Sequence, residues 1–328
     1  MCHNDRRAMS DKTSIEWTDA TWNPIRGTKG TWSCVKVSEG CTHCYAERLN
    51  ERRGGPPYAV GKDTLRLDEE ILTQPLRWKR PRKIFVCSMT DLFEERVPSE
   101  WIARVFAVMA LAPQHIFQVL TKRAERMATL LSKPTFLDLL VDQEAALSRR
   151  DAPTLLAYRR ARAGPLPWPL PNVHLGVSVE NQARADERIP WLLKTPAAVR
   201  FLSVEPLLGP VDISAHLWRR VPIAAISGRA LNDAPSAEHG ERLLDWVIVG
   251  GESGGPPERA LVERPYISHR EKNLWKPKPD ALEWVRSLRD QCVSAGVPYF
   301  FKQFGGPTSK SGGRLLDGEE WSQFPANS

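Results

Sequence analysis

No stretch of this 328-residue chain approaches 18 uninterrupted apolar residues, which excludes a membrane-spanning helix. A secretory leader is lacking too: the opening MCHNDRRAMS has no apolar core. The chain therefore reads as cytoplasmic, with Met9 a candidate alternative start. Cysteine is sparse, at 6 residues, and in a reducing compartment so few do not make a disulfide framework. The Gly-Lys-Ser/Thr ending of a phosphate-cradling loop is absent from the run Gly250-Gly251-Glu252-Ser253-Gly254. No internal repeat is present. Charge is nearly balanced, 46 basic against 39 acidic residues leaving +7, an excess that permits an anionic partner without demanding one. Tryptophan, by contrast, is plentiful. Its 12 residues serve either as core or as a stacking surface. With 41% hydrophobic and 26% charged residues, the composition is that of a folded globular protein.

Half of the cysteines lie within eleven residues, in Cys34-Val-Lys-Val-Ser-Glu-Gly-Cys41-Thr-His-Cys44. Thiolates this close usually share a metal ion or an iron–sulfur cluster. Turn formers (Gly27, Gly30, Ser38, Gly40) let the chain wrap around such a centre. A closed structural zinc site needs four ligands, and no further cysteine pair is nearby. His43, wedged between Cys41 and Cys44, is a strained fourth ligand. Three thiolates on a cubane cluster would leave one iron open. Cys2, Cys87 and Cys292 read as isolated hydrophobes, although Cys87 stands at a strand end.

Apolar, β-branched runs at 84–88, 116–121, 173–179, 200–204, 246–250 and 298–302 predict strands, with a further first strand near 20–25. Helical patterns at 44–53, 99–111, 122–132, 181–194 and 279–295 alternate with them, and Gly296 follows the last turn of the final helix. Near-continuous apolar strands separated by helices predict an α/β fold, a partial or complete parallel (β/α) barrel of six to eight strands. Residues 1–13 read as an N-terminal extension and 14–306 as one barrel domain. Insertions are expected at 138–171, partly helical, and at 216–243, and residues 307–328 read as a loop-like tail.

The strand exits carry the chemistry. They deliver Ser88, Thr90 and Asp91; Thr121, Lys122 and Arg123; Ser178, Glu180 and Asn181; Ser203 and Glu205; Gly250, Gly251 and Glu252; and Lys302 and Gln303. In parallel α/β folds this end holds ligands. Loops are polar in any case, but acids placed directly after buried strand residues favour a site. Gly250-Gly251 lets a ligand approach the backbone closely, and equally serves a tight strand exit.

Several segments resemble known sequences. The three-cysteine loop, a helix opening at Cys44-Tyr45-Ala46-Glu47 and the repeating βα units resemble the radical S-adenosylmethionine superfamily. Four segments resemble, more narrowly, a phage- and prophage-associated three-cysteine-motif family: Ser14–Pro24 (SIEWTDATWNP), Cys41–Glu47 (CTHCYAE), Leu202–Leu207 (LSVEPL) and Val249–Gly254 (VGGESG). That match runs from 14 to 306 and omits 1–13, 138–171 and 216–243. The superfamily loop usually has three residues and then two between its cysteines; here the spacing is six and then two.

The resemblance implies a [4Fe–4S] cluster on Cys34, Cys41 and Cys44, with S-adenosylmethionine chelated at the open iron and reductively cleaved to a 5′-deoxyadenosyl radical. It places Ser88 and Asp91 near the methionine amino group, and Ser178, Glu180 and Asn181 near the ribose or carboxylate. Glu205 and Glu252, with Gly250 and Gly251 beside them, would bind ribose hydroxyls or face the substrate. Lys302 and Gln303 would close the far side, and an external protein would donate the electron. A nucleic acid or nucleotide is the expected substrate, met by Lys122, Arg123, Arg184, Arg188, Lys302 and one or more of Trp17, Trp22 and Trp32. Two other readings stay open. One is a metal- or cluster-stabilised nucleic-acid-binding protein without radical chemistry. The other is a barrel hydrolase using Glu180, Glu205 and Glu252 for acid–base work.

Overall fold

The computed structural model describes residues 13–27, 30–58, 64–150, 164–220, 240–264 and 275–326. Cys2, residues 1–12 of the expected extension, and the central parts of both expected insertions (151–163 and 221–239) lie outside them.

Seven parallel strands form one sheet in unbroken chain order. They are β1 (Ala20–Trp22), β2 (Lys83–Val86), β3 (Ile116–Thr121), β4 (Val173–Ser178), β5 (Val199–Val204), β6 (Trp246–Gly250) and β7 (Tyr299–Gln303). A doubly wound sheet reverses its order at a switch point; this one never does. Its helices therefore collect on one face, and the sheet curls into a half-barrel with β1 and β7 as its edges. Among the described residues the helices of eight residues or more are α1 (Tyr45–Arg52), α2 (Ser99–Leu111), α3 (Ala124–Leu131), α4 (Pro134–Arg150), α5 (Gln182–Lys194) and α6 (Pro279–Ser294). Among the described residues no helix is long and apolar enough to cross a membrane.

The period of two along each strand sorts side chains between the faces. Ile84, Val86, Phe117, Val119, Leu175, Val177, Leu202, Val204, Val247, Val249 and Phe301 join the main core beneath the helices. Their alternates Phe85, Phe201, Trp246, Ile248 and Phe300 form a second cluster on the concave face. Trp17, from the segment before β1, packs into that cluster with ring centroids 4.7 Å from Phe85 and 6.3 Å from Trp246. At Gly176 on β4 a side chain is impossible, because its Cβ would meet the Phe201 ring at 2.6 Å.

The structure corrects several boundaries. The first strand stops at Trp22, since Asn23-Pro24 cannot extend the ladder, and Ile25–Arg26 pairs instead with Arg66–Leu67 in a separate antiparallel ribbon. β2 ends at Val86, where Cys87 takes a φ of 55°, a left-handed conformation uncommon for a non-glycine residue. The helix expected within 138–171 begins before that segment. α4 begins at Pro134 and its Phe136 meets Phe106 of α2 edge to face at 5.8 Å, with Trp168 6.0 Å from both rings. At the second, the flanks Trp218–Arg220 and Gly240–Arg242 pair as an antiparallel ribbon. The expected tail is part of the barrel. The Gln323 carbonyl accepts from Trp246 Nε1 at 2.8 Å, its side chain accepts from the Tyr299 amide at 2.9 Å, and Phe324 lies 5.3 Å from the Trp246 ring. The edge strand β7 exposes unpaired backbone groups and needs such a cover.

One buried ionisable group sits on the concave face. His174 of β4 is 1% exposed, and burial lowers its pKa from 6.5 to about 4. Its folded pKa lies below its unfolded one, so the unfolded chain binds the proton first. Stability is therefore expected to fall by about 3 kcal/mol as pH drops from 6.5 toward 4. Urea titrations of the wild type and His174→Gln across this window should show the wild type losing ground to the variant by that amount. A pH-independent difference would contradict the assignment.

Candidate functional site

Inward positions at the C-terminal ends of the strands surround a cavity of about 430 Å³, within the size range of small-molecule sites. Of the residues expected there, Cys34, Cys41, Cys44, Ser88, Asp91, Ser178, Glu205, Gly251 and Glu252 line it, together with Lys122, Lys302 and Gln303. Glu180, Asn181 and Gly250 do not. A register shift between β6 and β7 leaves Lys302 without a paired residue, because Val249 opposes Phe301 and Gly250 opposes Gln303. Such a bulge re-aims side chains, and here Lys302 and Gln303, consecutive in sequence, both face the cavity.

The cysteine-bearing segment 34–44 roofs the cavity and is tied down by groups far away in sequence. The Ser38 hydroxyl donates to Glu180 Oε1 at 2.6 Å. Glu39 accepts from Arg184 Nη2 at 3.0 Å and from the Asn181 amide. Arg123 Nη2 donates to the Val35 carbonyl at 2.9 Å, and Arg259 Nη2 to the Glu39 carbonyl at 3.1 Å. Arg48, one helical turn beyond Cys44 on α1, donates to the carbonyls of Ser253 and Gly254 past β6. The segment following β1 is thereby joined to the ends of β3, β4 and β6.

These ties give several expected site residues other roles. Glu180 is fully buried, paired with Arg188 at 2.8 Å and 3.6 Å from Lys122 Nζ, so it anchors the roof instead of meeting a ribose. Asn181 caps α5, its Oδ1 accepting from the Arg184 amide at 3.1 Å. Asp91 lines the cavity, but its carboxylate accepts from Thr121 Oγ1, the Phe93 and Lys122 amides and Arg123 Nη1, at 2.7–3.0 Å. Its lone pairs are taken up in joining the exits of β2 and β3. Glu252 is held by Arg259 at 2.7 Å. Glu205 faces the cavity, as does the exposed Glu16, and lies 3.0 Å from Lys302 and within 3.3 Å of the Ser203 hydroxyl. Gly250 cradles it: a Cβ there would come within 2.3 Å of Glu205 Oε1.

Most of the residues expected to meet a nucleic acid are buried or paired. Trp17, Trp22 and Trp32 are at most 2% exposed. Arg188 is buried against Glu180, Arg123 is buried between Asp91 and Glu95, and Arg184 is engaged by Glu39 and Glu187. Each of these cations lies beside a carboxylate from another segment, a pairing that spacing along the chain does not reveal. Sequence reasoning also missed Arg259, which emerges from a short turn, and Arg48; the i, i+4 spacing of Cys44 and Arg48 was the available signal for the latter.

The three thiols differ in surroundings. Burial pushes Cys34 up to about 12; neighbouring Asp91 adds to the rise and Arg123 opposes it. Burial also raises Cys44, while the amides of Glu47 and Ala46 in the first turn of α1 pull the other way. Cys34 and Cys44 border a small apolar cluster of Trp32, Ala46, Tyr58 and Met89. Among the described residues no group of three or more His, Cys, Asp or Glu side chains is arranged to hold a metal ion. In donor type the site does suit a thiolate-bound centre. The three clustered thiols line one cavity with Cys87, burial raises Cys34 and Cys44, and a metal centre is a partner that displaces such protons. Cys87 belongs to the main core and also lines the cavity beside the clustered thiols, and Cys292 is buried on α6.

The model of the family described as "Protein of unknown function (DUF5131)" matches residues 12–272 and 275–325. The chain belongs to the DUF5131 family. No curated protein and no solved structure matches it. The DUF5131 match spans the roof, every strand exit and the C-terminal segment that covers β7, so these features lie within one family unit.

Gly40 tests the roof. A Cβ at this position would fall 2.4 Å from Glu180 Oε1. Gly40→Ala should cost about 1–3 kcal/mol in urea unfolding and reduce amide-exchange protection across 34–44. Gly209→Ala, with open space around its Cβ, should be silent in both. Equal behaviour of the two variants would remove the anchoring role of Glu180.

Proposed function

We propose that this protein is a radical S-adenosylmethionine-type iron–sulfur enzyme acting on a small polar substrate. The observation that carries this reading is the shared cavity. The three clustered cysteines face the same half-open cavity as the polar exits of β2 to β7 in a parallel half-barrel. Cys34, Cys41 and Cys44 would hold a [4Fe–4S] cluster, and with S-adenosylmethionine such a group supplies one-electron reductive cleavage and a 5′-deoxyadenosyl radical, the electron coming from an external donor.

The chain's own residues bind, orient and exclude water. Glu180, Arg123 and Arg259 hold the roof in place. Glu205 and Lys302, 3.0 Å apart, present an acceptor and a donor to polar groups of a bound molecule. Ser88, Ser178 and Ser203 offer hydroxyls at the strand exits, and Trp17, Phe85 and Leu120 supply an apolar floor. A nucleotide-sized molecule suits a cavity of this volume better than a duplex does, since the tryptophans and arginines expected to grip a polymer are buried or paired. The hydrolase reading loses support, because Glu180 and Glu252 are both engaged by arginines and paired-carboxylate chemistry needs two available groups.

Anaerobic purification with iron and sulfide analysis tests the centre, and chromatography for 5′-deoxyadenosine after adding S-adenosylmethionine and dithionite tests the chemistry. The expected result is a brown protein holding about four irons per chain and forming 5′-deoxyadenosine. Cys34→Ala, Cys41→Ala and Cys44→Ala should each lose both properties, while Cys87→Ala and Cys292→Ala keep the iron. A colourless protein carrying zinc would favour the metal-stabilised binding protein instead.

A further inference from the structure

Beneath the cavity floor the concave face carries polar side chains that its apolar neighbours do not explain. Gln118 of β3 and His174 of β4 are each 1% exposed and directly opposed in the sheet register. Both occupy inward positions, because Phe117, Val119, Val173 and Leu175 join the helix-side core. Gln118 Nε2 donates to the Trp17 carbonyl at 3.2 Å. Gln118 Oε1, both ring nitrogens of His174 and Trp17 Nε1 have no hydrogen-bond partner. A buried amide or imidazole without a partner costs roughly 1–3 kcal/mol, so several orphans on one face call for an occupant.

The donor and acceptor inventory identifies it. A neutral imidazole offers one N–H and one bare nitrogen, Gln118 Oε1 is an acceptor, and the Trp17 indole is a donor. Burial keeps His174 uncharged through the neutral range. The two ring nitrogens point apart, so one water reaches one of them, together with Gln118 Oε1 and the indole N–H; water both donates and accepts, and the site carries no net charge to recruit an ion. We propose that the half-barrel lumen holds a buried water site between Gln118 and His174, completed by the Trp17 indole. Ordered water in such places typically makes about three hydrogen bonds and is part of the fold. The site locks one imidazole tautomer and fixes Trp17, a floor residue of the cavity above, from below.

This site makes no use of the proposed iron–sulfur chemistry, and its test is separate from it. A high-resolution crystal structure of the full chain is expected to show an ordered water within about 2.7–3.2 Å of Gln118 Oε1 and a ring nitrogen of His174. Nitrogen-15 NMR of the imidazole at pH 7 should show one neutral tautomer with hydrogen-bonded shifts. In thermal melts Gln118→Leu and His174→Leu should each lower the midpoint, and the double variant should melt no lower than the less stable single. A dry lumen, a direct Gln118–His174 hydrogen bond, or strictly additive losses would overturn the proposal. Loss of iron binding with the water still in place would leave it standing.

Discussion

The Glu180 carboxylate is the interaction on which the candidate site depends. It is fully buried just beyond the end of β4, accepts from Ser38 of the cysteine segment and Arg188 of α5, and lies within 3.6 Å of Lys122 beyond β3. Its backbone carbonyl accepts from the Leu208 amide at 2.8 Å, which adds the loop after β5. A buried ion pair is weak evidence for stability, because desolvation offsets the attraction, but removing one partner leaves a charge stranded. The same residue limits what can lie above it: Gly40 passes so close that no side chain fits. The roof, and the facing of three thiols into one cavity, rest on that contact.

The second constraint is the open barrel. Seven parallel strands in chain order curl but do not close, which leaves a concave face needing apolar cover. Both ends of the chain supply it. Trp17 packs on Phe85 and Trp246, and Phe324 packs on Trp246 and Phe300. With the lumen filled there, space for a ligand remains at the C-terminal ends of the strands, where the parallel arrangement has already gathered the polar exits. Electrostatics then divides those exits. Asp91, Glu180 and Glu252 are neutralised by arginines and hold loops together, whereas Glu205 and Lys302 pair with each other across the cavity wall.

The amino-acid sequence by itself determined the sheet and the end of it that matters. Strands 116–121 and 246–250 were legible to the residue, since continuous apolar runs between turns have few alternatives in a sheet covered by helices. The polar residues that follow each apolar run told which end of the sheet gathers the polar side chains, most of which, from Ser88 to Gln303, line one cavity. Only the tertiary structure decided which polar groups remain free. Whether Glu180 meets a ligand or Ser38, whether Trp22 and Trp32 stack on a base or fill the core, and whether residues after 306 hang free or cover β7 all depend on partners that lie well away along the chain. The physical reason is that periodicity records the direction of a side chain relative to its own strand or helix, while charge pairing and burial are set by whatever the fold brings opposite it.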